Sequence, residues 1–163
     1  MIKKFLTLFS TLAVVSMLTA CGGDKAPQVD YVTIQGQTIT PADYQGQVML
    51  VNFWATSCTT CVKEMPDIVD THNKFKDQGF RTIAVAMSYD RPDYVVNFAE
   101  TRKLPFDVAL DVNGNIAKAF DDVKITPTTY VINRKGEIIK TYVGEPDFAA
   151  LHQLIEKSLA EKV

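Results

Sequence analysis

The hydrophobic and polar positions of this chain change from strand-like to helix-like patterns along its length. Residues 48–53 and 81–87 form two nearly continuous apolar runs, and residues 106–110 form a shorter one. Such runs are typical of central strands that are covered on both faces of a sheet. The pattern therefore predicts three buried strands in the first two thirds of the chain.

Apolar residues at helical spacing fill the segments between these strands. Residues 58–77 place apolar side chains at intervals of three and four, which predicts one amphipathic helix. Asp90 and Pro92 predict the start of another helix that runs to about residue 103, with the Asp90 side chain as its N-cap. A short helix is predicted at residues 116–120.

The last third of the chain predicts a β-hairpin followed by one helix. Residues 128–133 and 137–143 are strand-like runs joined by a turn that contains Gly136. Asp147 stands where it would cap an amphipathic helix, and residues 29–39 predict a small hairpin ahead of the first buried strand. This order of elements implies an α/β fold, with a central mixed β-sheet flanked by helices on both faces.

The first 20 residues resemble an export signal rather than part of this fold. Two lysines precede an apolar stretch, and Leu-Thr-Ala stands directly before Cys21, which resembles a bacterial lipobox. We therefore predict a lipoprotein signal peptide at residues 1–20, a flexible tether with a lipidated Cys21 at residues 21–28, and one domain at residues 29–163. An uncleaved signal anchor and an ordinary secretory signal are the alternatives.

This assignment places the protein in the bacterial cell envelope, held to a membrane by its lipid, where thiols tend to be oxidised. The chain has three cysteines, so lipidation of Cys21 leaves Cys58 and Cys61 as a pair. The 17 basic and 19 acidic residues are interspersed without a basic stripe. This distribution argues against nucleic acid as a partner.

The Cys58/Cys61 pair carries most of the chemistry that the residues indicate. It stands where the first buried strand gives way to a helix, and Thr56 or Ser57 is placed to cap that helix. A thiolate at a helix N-terminus is stabilised by unpaired N–H groups, and thiolate is the nucleophile of disulfide exchange. We predict a redox-active disulfide with no other cofactor. A zinc site and a structural disulfide are the alternatives, but neither of the two histidines forms a ligand motif with the pair.

Together these features resemble the thioredoxin superfamily, and within it the membrane-anchored TlpA/ResA-type thiol-disulfide oxidoreductases. The resemblance covers roughly residues 29–160. It implies a thioredoxin-like fold with an N-terminal hairpin and an extra strand and helix inserted between Ser88 and Phe120. The motifs that carry it are Val51-Asn52-Phe53-Trp54-Ala55-Thr56, Cys58-Thr59-Thr60-Cys61, Glu64-Met65-Pro66, Ile125-Thr126-Pro127-Thr128-Thr129 and residues 131–138.

The resemblance implies catalytic roles for three residues. Cys58 is the exposed attacking thiolate, and Cys61 is the buried thiol that resolves the mixed disulfide. Glu64 lies beside the thiols, where it relays the Cys61 proton and disfavours a second negative charge, which makes the pair more reducing. Asn52 stands where thioredoxin has a buried aspartate, so Glu64 is the acid that this pattern offers for the task.

The resemblance also implies a substrate-binding surface. Thr126-Pro127 is expected to contain a cis peptide bond that faces the cysteines, and the backbone before the proline is expected to pair with an extended substrate segment. Trp54 is expected to pack at the edge of this surface. Ser57 stands before the first cysteine in place of the family's usual tryptophan, and the dipeptide between the cysteines lacks the proline common in relatives.

The implied function is the reduction of disulfides in exported proteins, such as apocytochrome c during cytochrome c maturation or copper-site assembly proteins. The implied partners are those exported substrates and a membrane thiol donor of the DsbD/CcdA type, and the protein is expected to be a monomer. Three other functions remain open on the residues alone: a disulfide oxidant or isomerase, a thiol peroxidase, and a non-enzymatic copper chaperone.

Overall fold

The structure is a computed structural model that describes residues 24–162. The predicted signal peptide at residues 1–20 and the predicted lipid site Cys21 lie outside the described residues. Within residues 24–162, no helix is both long and apolar enough to cross a membrane. In chain order the elements are β1 (Tyr31–Val32), β2 (Thr38–Ile39), α1 (Pro41–Tyr44), β3 (Val48–Trp54), α2 (Thr59–Phe75), a 3-10 turn (Lys76–Gln78), β4 (Phe80–Ala86), α3 (Pro92–Arg102), β5 (Asp107–Leu110), α4 (Asn115–Ala119), β6 (Thr128–Ile132), β7 (Ile138–Val143) and α5 (Phe148–Ala160).

Five strands form a mixed sheet in the order β5-β4-β3-β6-β7, while β1 and β2 form the predicted small hairpin. β3 runs parallel to β4, and β4 runs parallel to β5. β6 is antiparallel to both β3 and β7. The predicted mixed sheet is therefore confirmed, and the fully buried strand β3 lies at its centre.

Side chains alternate between the two faces of β3 and meet different elements on each face. Val51 and Phe53 pack towards the β1–β2 hairpin, α1 and α4. Leu50 and Trp54 pack towards α2, α3 and α5. Asn52 lies between these last two positions in the alternation, so it also faces the helix that carries the cysteines. The predicted cover on both faces of the sheet is confirmed.

Three aromatic rings that the sequence predicts to be core lie in mutual contact. The ring centroids of Phe53 and Phe120 are 5.3 Å apart, and those of Phe120 and Tyr130 are 5.0 Å apart. The Tyr130 hydroxyl donates a hydrogen bond of 2.8 Å to the Phe120 carbonyl. This bond lets the polar end of Tyr130 lie in the core without an unpaired donor.

The predicted tether at residues 21–28 is wrong for its later part. The Ile138 N–H donates to the Asp24 carbonyl at 2.8 Å, and the Ala26 N–H donates to the Gly136 carbonyl at 2.9 Å. Ala26 is buried. The physical reason is that β7 is an edge strand, whose first residues and preceding turn offer backbone groups that another segment can pair with.

The two predicted aspartate caps have different outcomes. Asp147 caps α5 as predicted, because its carboxylate accepts two N–H groups of the first turn. Asp90 does not cap α3, whose N-cap is Arg91 without a side-chain hydrogen bond. The Asp90 carboxylate instead accepts the Thr56 N–H at 2.5 Å and the Thr56 hydroxyl at 2.6 Å. Asp90 therefore stabilises the loop between β3 and α2.

Candidate active site

The two cysteines form a disulfide at the N-terminus of α2, with their Cα atoms 5.3 Å apart. Cys58 is the N-cap residue, and its Sγ atom accepts the Cys61 N–H at 3.2 Å. The prediction that Thr56 or Ser57 caps this helix is wrong, because the sulfur occupies that place. Thr56 is instead held by Asp90 in the preceding loop.

The two sulfur atoms differ in their access to solvent. Cys58 is half-buried, whereas Cys61 has no exposed surface. A thiolate at Cys58 would gain a hydrogen bond and the favourable end of the helix dipole. A thiolate at Cys61 would lose its hydration. This asymmetry fits Cys58 as the attacking sulfur and Cys61 as the sulfur that reacts second.

Short contacts fix the loop that leads to Cys58. The Cys58 N–H donates to the Ala55 carbonyl at 3.1 Å, and the Met87 N–H donates to the Trp54 carbonyl at 3.0 Å. Asp90 adds its two bonds to Thr56 from the loop after β4. Sequence analysis missed this contact. A signal for it was present, because parallel neighbouring strands bring the segments that follow them to the same edge of the sheet.

Glu64 is a fully buried acid three residues after Cys61, on the same face of α2. Its Oε1 atom accepts a hydrogen bond of 3.1 Å from Asn52 Nδ2. The pKa of Glu64 is raised to about 7: burial is the largest cause, the Asn52 bond opposes it, and the charges of Glu145 and Asp67 add to it. A carboxyl group with a pKa close to neutral is suited to accepting and returning a proton.

Asn52 joins Glu64 to the strand that carries the proline loop. The same Nδ2 atom donates to Thr129 Oγ1 at 2.9 Å, and Asn52 and Thr129 are partners in the β3–β6 ladder. Within the described residues, Asn52 Oδ1 and Glu64 Oε2 are buried and have no hydrogen-bond partner. Sequence analysis did not identify Thr129, and its position opposite Asn52 follows only from the strand register.

The Thr126–Pro127 peptide bond is cis, as predicted. Pro127 is buried and Thr126 is half-buried, with its hydroxyl 3.3 Å from the Tyr89 hydroxyl. Thr128 pairs with Phe53 at the end of β3, which places this loop at the same edge of the sheet as the cysteines. Among the described residues, none forms a backbone hydrogen bond with Thr126, so its N–H and C=O groups can pair with another chain.

Trp54 does not lie where a substrate would contact its side chain. The indole has no exposed surface and packs against Phe98, with ring centroids 5.1 Å apart. It belongs to the same apolar cluster as Cys61. The predicted substrate contact is therefore corrected: the side chain is core packing beneath the cysteine helix.

Three large apolar side chains are exposed on segments at the edge of the sheet where the cysteines and the proline loop lie. Tyr89, Ile125 and Val143 have exposed fractions of 59%, 62% and 65%. Val143 pairs with Thr128 at the start of β6, and the Tyr89 hydroxyl contacts Thr126. Sequence analysis did not identify these three residues as a group. They are far apart in the sequence, and only the fold brings them to one edge of the sheet.

Within residues 24–162, no third His, Cys, Asp or Glu side chain stands with the two cysteines in a group that could hold a metal ion. In the part of the chain that the structure describes, no group of three or more His, Cys, Asp or Glu side chains stands close enough to hold a metal ion. The donor set at the pair is two sulfur atoms joined in a disulfide.

Comparisons with known proteins agree with this geometry. The Redoxin family model matches residues 22–155. The thiol-disulfide oxidoreductase ResA of Bacillus thuringiensis subsp. konkukian is 32% identical over 136 residues, which cover 83% of this chain and 77% of that protein. ResA of Bacillus subtilis is 32% identical over 130 residues, covering 80% of this chain and 72% of that protein.

Solved structures share the fold. A protein of Neisseria meningitidis, described as a candidate thioredoxin, is 42% identical with a TM-score of 0.77, covering 83% of this chain and 90% of that one. A thioredoxin family thiol:disulfide interchange protein of Chlorobium tepidum is 25% identical with a TM-score of 0.77, covering 85% and 97%. A helix-capping cysteine, a buried partner cysteine and a cis-proline at the same edge of the sheet are thus set in a scaffold shared with known disulfide-exchange proteins. The chain belongs to the redoxin family, within the thioredoxin superfamily, as a TlpA/ResA-type thiol-disulfide oxidoreductase.

Proposed function

We propose that this protein is an envelope reductase that transfers electrons from its Cys58/Cys61 dithiol to disulfides in exported proteins. The single observation that carries this direction of transfer is the buried Glu64 one helical turn from Cys61. A carboxylate in that place disfavours a thiolate nearby, and a pair whose thiolate is less stabilised is more reducing.

The proposed reaction has two exchange steps. The Cys58 thiolate attacks one sulfur of the substrate disulfide, and the substrate sulfur that leaves takes up a proton. Cys61 then gives its proton to Glu64 and attacks the Cys58 sulfur, which breaks the mixed disulfide. The second substrate sulfur leaves as a thiolate and takes up the proton that Glu64 holds. The substrate gains two electrons and two protons, and the enzyme is left with the Cys58–Cys61 disulfide.

The substrate is proposed to lie as an extended segment along the proline loop. The backbone groups of Thr126 are placed for strand-like pairing with such a segment. The exposed side chains of Tyr89, Ile125 and Val143 supply apolar contacts on either side of that line. These contacts favour substrates in which apolar residues flank the reactive cysteine, a pattern that a partly unfolded exported protein presents.

The place and partners of the protein are part of the proposal. Cys21 is proposed to carry a lipid that holds the domain to a membrane of the cell envelope, on the support of the lipobox pattern. An oxidising compartment would leave the enzyme oxidised, so a membrane thiol donor of the DsbD/CcdA type is proposed to regenerate the dithiol. Apocytochrome c in cytochrome c maturation and copper-site assembly proteins are the proposed substrates, and the enzyme is proposed to act as a monomer.

The reduction potential of the Cys58–Cys61 couple tests this function. It would be measured on the mature chain, residues 21–163 with Cys21→Ser, by equilibration in a dithiothreitol redox series. We expect a value near or below that of thioredoxin, about −270 mV. A value near that of DsbA, about −120 mV, would overturn the proposal and make the protein an oxidant.

A further inference from the structure

We propose that Asn52 is a positioning residue that assigns different roles to the two oxygens of Glu64 in proton transfer. The hydrogen bond from its amide makes Oε1 an oxygen that only accepts a hydrogen bond. Oε2 is then the oxygen that carries the exchanged proton. The inference rests on the proposed function, in which Glu64 takes the proton of Cys61.

The strand register places Asn52 where it can do this. Asn52 lies in β3 on the face towards α2, directly opposite Thr129 of β6. Glu64 enters the same buried space from α2. The relative exposure of all three side chains is at most 1%. Because β3, β6 and α2 meet at the Asn52 amide group, its orientation is constrained by Thr129 on one side and by Glu64 on the other.

A count of donors and acceptors decides which way the amide points. The Asn52 Nδ2 atom has two hydrogens, and they are directed to Glu64 Oε1 at 3.1 Å and Thr129 Oγ1 at 2.9 Å. The opposite orientation would bring the amide oxygen against a carboxylate oxygen, which is unfavourable when Glu64 is ionised. The hydrogen-bond network therefore assigns nitrogen to the position between Glu64 and Thr129.

The same count of donors and acceptors leaves two buried oxygen atoms without a donor, whereas protonation of Glu64 supplies only one proton. Asn52 Oδ1 and Glu64 Oε2 are buried, and neither has a partner within residues 24–162. Ionised Glu64 has no donor to offer, whereas protonated Glu64 has one O–H group. Since Oε1 already accepts from Asn52, Oε2 is the oxygen on which that proton lies. An unpaired buried acceptor is costly, so the proton has a defined place on Oε2.

The Asn52 bond also sets the strength of Glu64 as a base. Burial favours the neutral acid, and the bond from Asn52 opposes burial by stabilising the carboxylate. The other groups that act on it are Asp67 on α2 and Glu145 after β7, which is paired with Lys63, together with the two cysteines. Without Asn52, fewer molecules would hold the ionised Glu64 that accepts the Cys61 proton at neutral pH.

The test is the pH dependence of disulfide reduction by the mature chain, residues 21–163 with Cys21→Ser, against a peptide disulfide. In Asn52→Leu, which keeps the volume but removes the amide, we expect the midpoint of the acid limb to rise by about one pH unit. The rate well below that midpoint would fall about tenfold, while the rate at alkaline pH stays within about threefold of wild type. Asn52→Ser serves as a second variant if the leucine variant does not fold.

A matched control separates positioning from general packing. Thr129→Val removes the second acceptor of the Asn52 amide but keeps its bond to Glu64, so its midpoint is expected to match wild type. Carbon-13 NMR titration of the Glu64 carboxyl gives a readout independent of turnover, and its pKa is expected to rise in Asn52→Leu. Equal midpoint shifts in Asn52→Leu and Thr129→Val would overturn the inference, as would an unchanged Glu64 titration.

A double variant distinguishes failure of this inference from failure of the proposed function. In a Glu64→Gln background, Asn52→Leu is expected to cause no further midpoint shift, because the two residues act through one proton. A shift that persists in that background shows that Asn52 does not act through Glu64. If Glu64→Gln alone leaves the pH profile unchanged, the proposed role of Glu64 fails first.

Discussion

The Glu64 carboxyl group illustrates how a buried position changes the chemistry of a single residue. It has no exposed surface, and burial raises its pKa to about 7. An acid whose pKa is higher in the folded chain than in the unfolded chain binds its proton more tightly when folded. Through this group, the free energy of unfolding is highest below the ordinary pKa of glutamate and falls as pH rises towards 7.

We expect Glu64→Gln to remove this pH dependence. Between about pH 4.5 and pH 8, the oxidised wild-type domain should lose about 3 kcal/mol of unfolding free energy relative to the variant. Urea unfolding of both proteins at the two pH values measures the difference. Asp70→Asn, at an exposed position on the same helix, is the control and should follow the wild-type trend. Parallel pH curves for wild type and Glu64→Gln would contradict the expectation.

The unequal exposure of the two cysteines gives a second expectation. Cys61→Ser should leave the half-buried Cys58 able to attack but should remove the thiol that resolves the product, so mixed disulfides with substrate accumulate. Cys58→Ser should form few or none, because Cys61 is fully buried. Non-reducing gels of each variant after incubation with a disulfide substrate show the difference. Equal trapping by both variants would mean that Cys61 is reached directly.

Motif residues were predictable at this scale, and their partners were not. The redox-active pair follows from a short local pattern, and the cis Thr126–Pro127 bond follows from the family resemblance that such motifs carry. The contact between Asn52 and Thr129 joins positions 77 residues apart, and that between Thr56 and Asp90 joins positions 34 residues apart. Such pairs depend on strand register, which the pattern of apolar residues along one chain does not define.

Among the elements, the turn from β3 into α2 shows how one long-range side chain supports a catalytic loop. Local sequence suggested Asp90 as a helix cap, since an aspartate just before Arg-Pro is common at such a place. Parallel pairing of β3 with β4 brings Asp90 to Thr56 instead. There its carboxylate accepts hydrogen bonds from the backbone N–H and from the hydroxyl of Thr56. The tertiary contact outcompetes the local one because a charged acceptor gains two hydrogen bonds there.

We expect Asp90→Ala to destabilise the domain by about 2 kcal/mol, because it removes two hydrogen bonds to a charged group. The exchange rate should also fall, since the loop before Cys58 loses its support. Chemical denaturation and a disulfide-reduction assay measure the two effects. Asp93→Ala is the matched control: it breaks an exposed ion pair with Arg91, and such pairs contribute little to stability. A loss as small as that of the control would contradict the role of Asp90.

In the whole molecule, the alternation of strands and helices was sufficient to predict a mixed sheet covered on both faces. The place of residues 24–28 in the fold was not predictable in this way. These residues have no periodic pattern, and they join the fold through backbone hydrogen bonds that any sequence can make. Only the edge strand that receives them, distant in sequence, reveals that they are part of the domain.

We expect a domain that starts at Asp24 to be more stable than one that starts at Val29, by about 1 to 2 kcal/mol. The longer form keeps the backbone bonds at Asp24 and Ala26. Urea unfolding of the two forms measures the difference, with Lys25→Ala as a control that removes the exposed side-chain contacts to Glu137 and the Lys135 carbonyl but keeps the backbone bonds. The reduction potential should be the same in both, because the N-terminal segment does not touch the cysteines. Equal stability would show that this segment does not contribute to the fold.

The docked N-terminal segment also determines how far the active site lies from the proposed lipid. Cys21 precedes Asp24 by three positions, a length of chain that spans at most about 10 Å. Asp24 is held beside the turn between β6 and β7, whereas Cys58 follows the other end of β3, whose seven residues extend roughly 23 Å. A lipid on Cys21, as proposed, would therefore be held towards the pole of the domain opposite the disulfide. A lipid at one pole leaves the other clear, so a bulky exported protein can approach the disulfide without competing with the bilayer for the same surface.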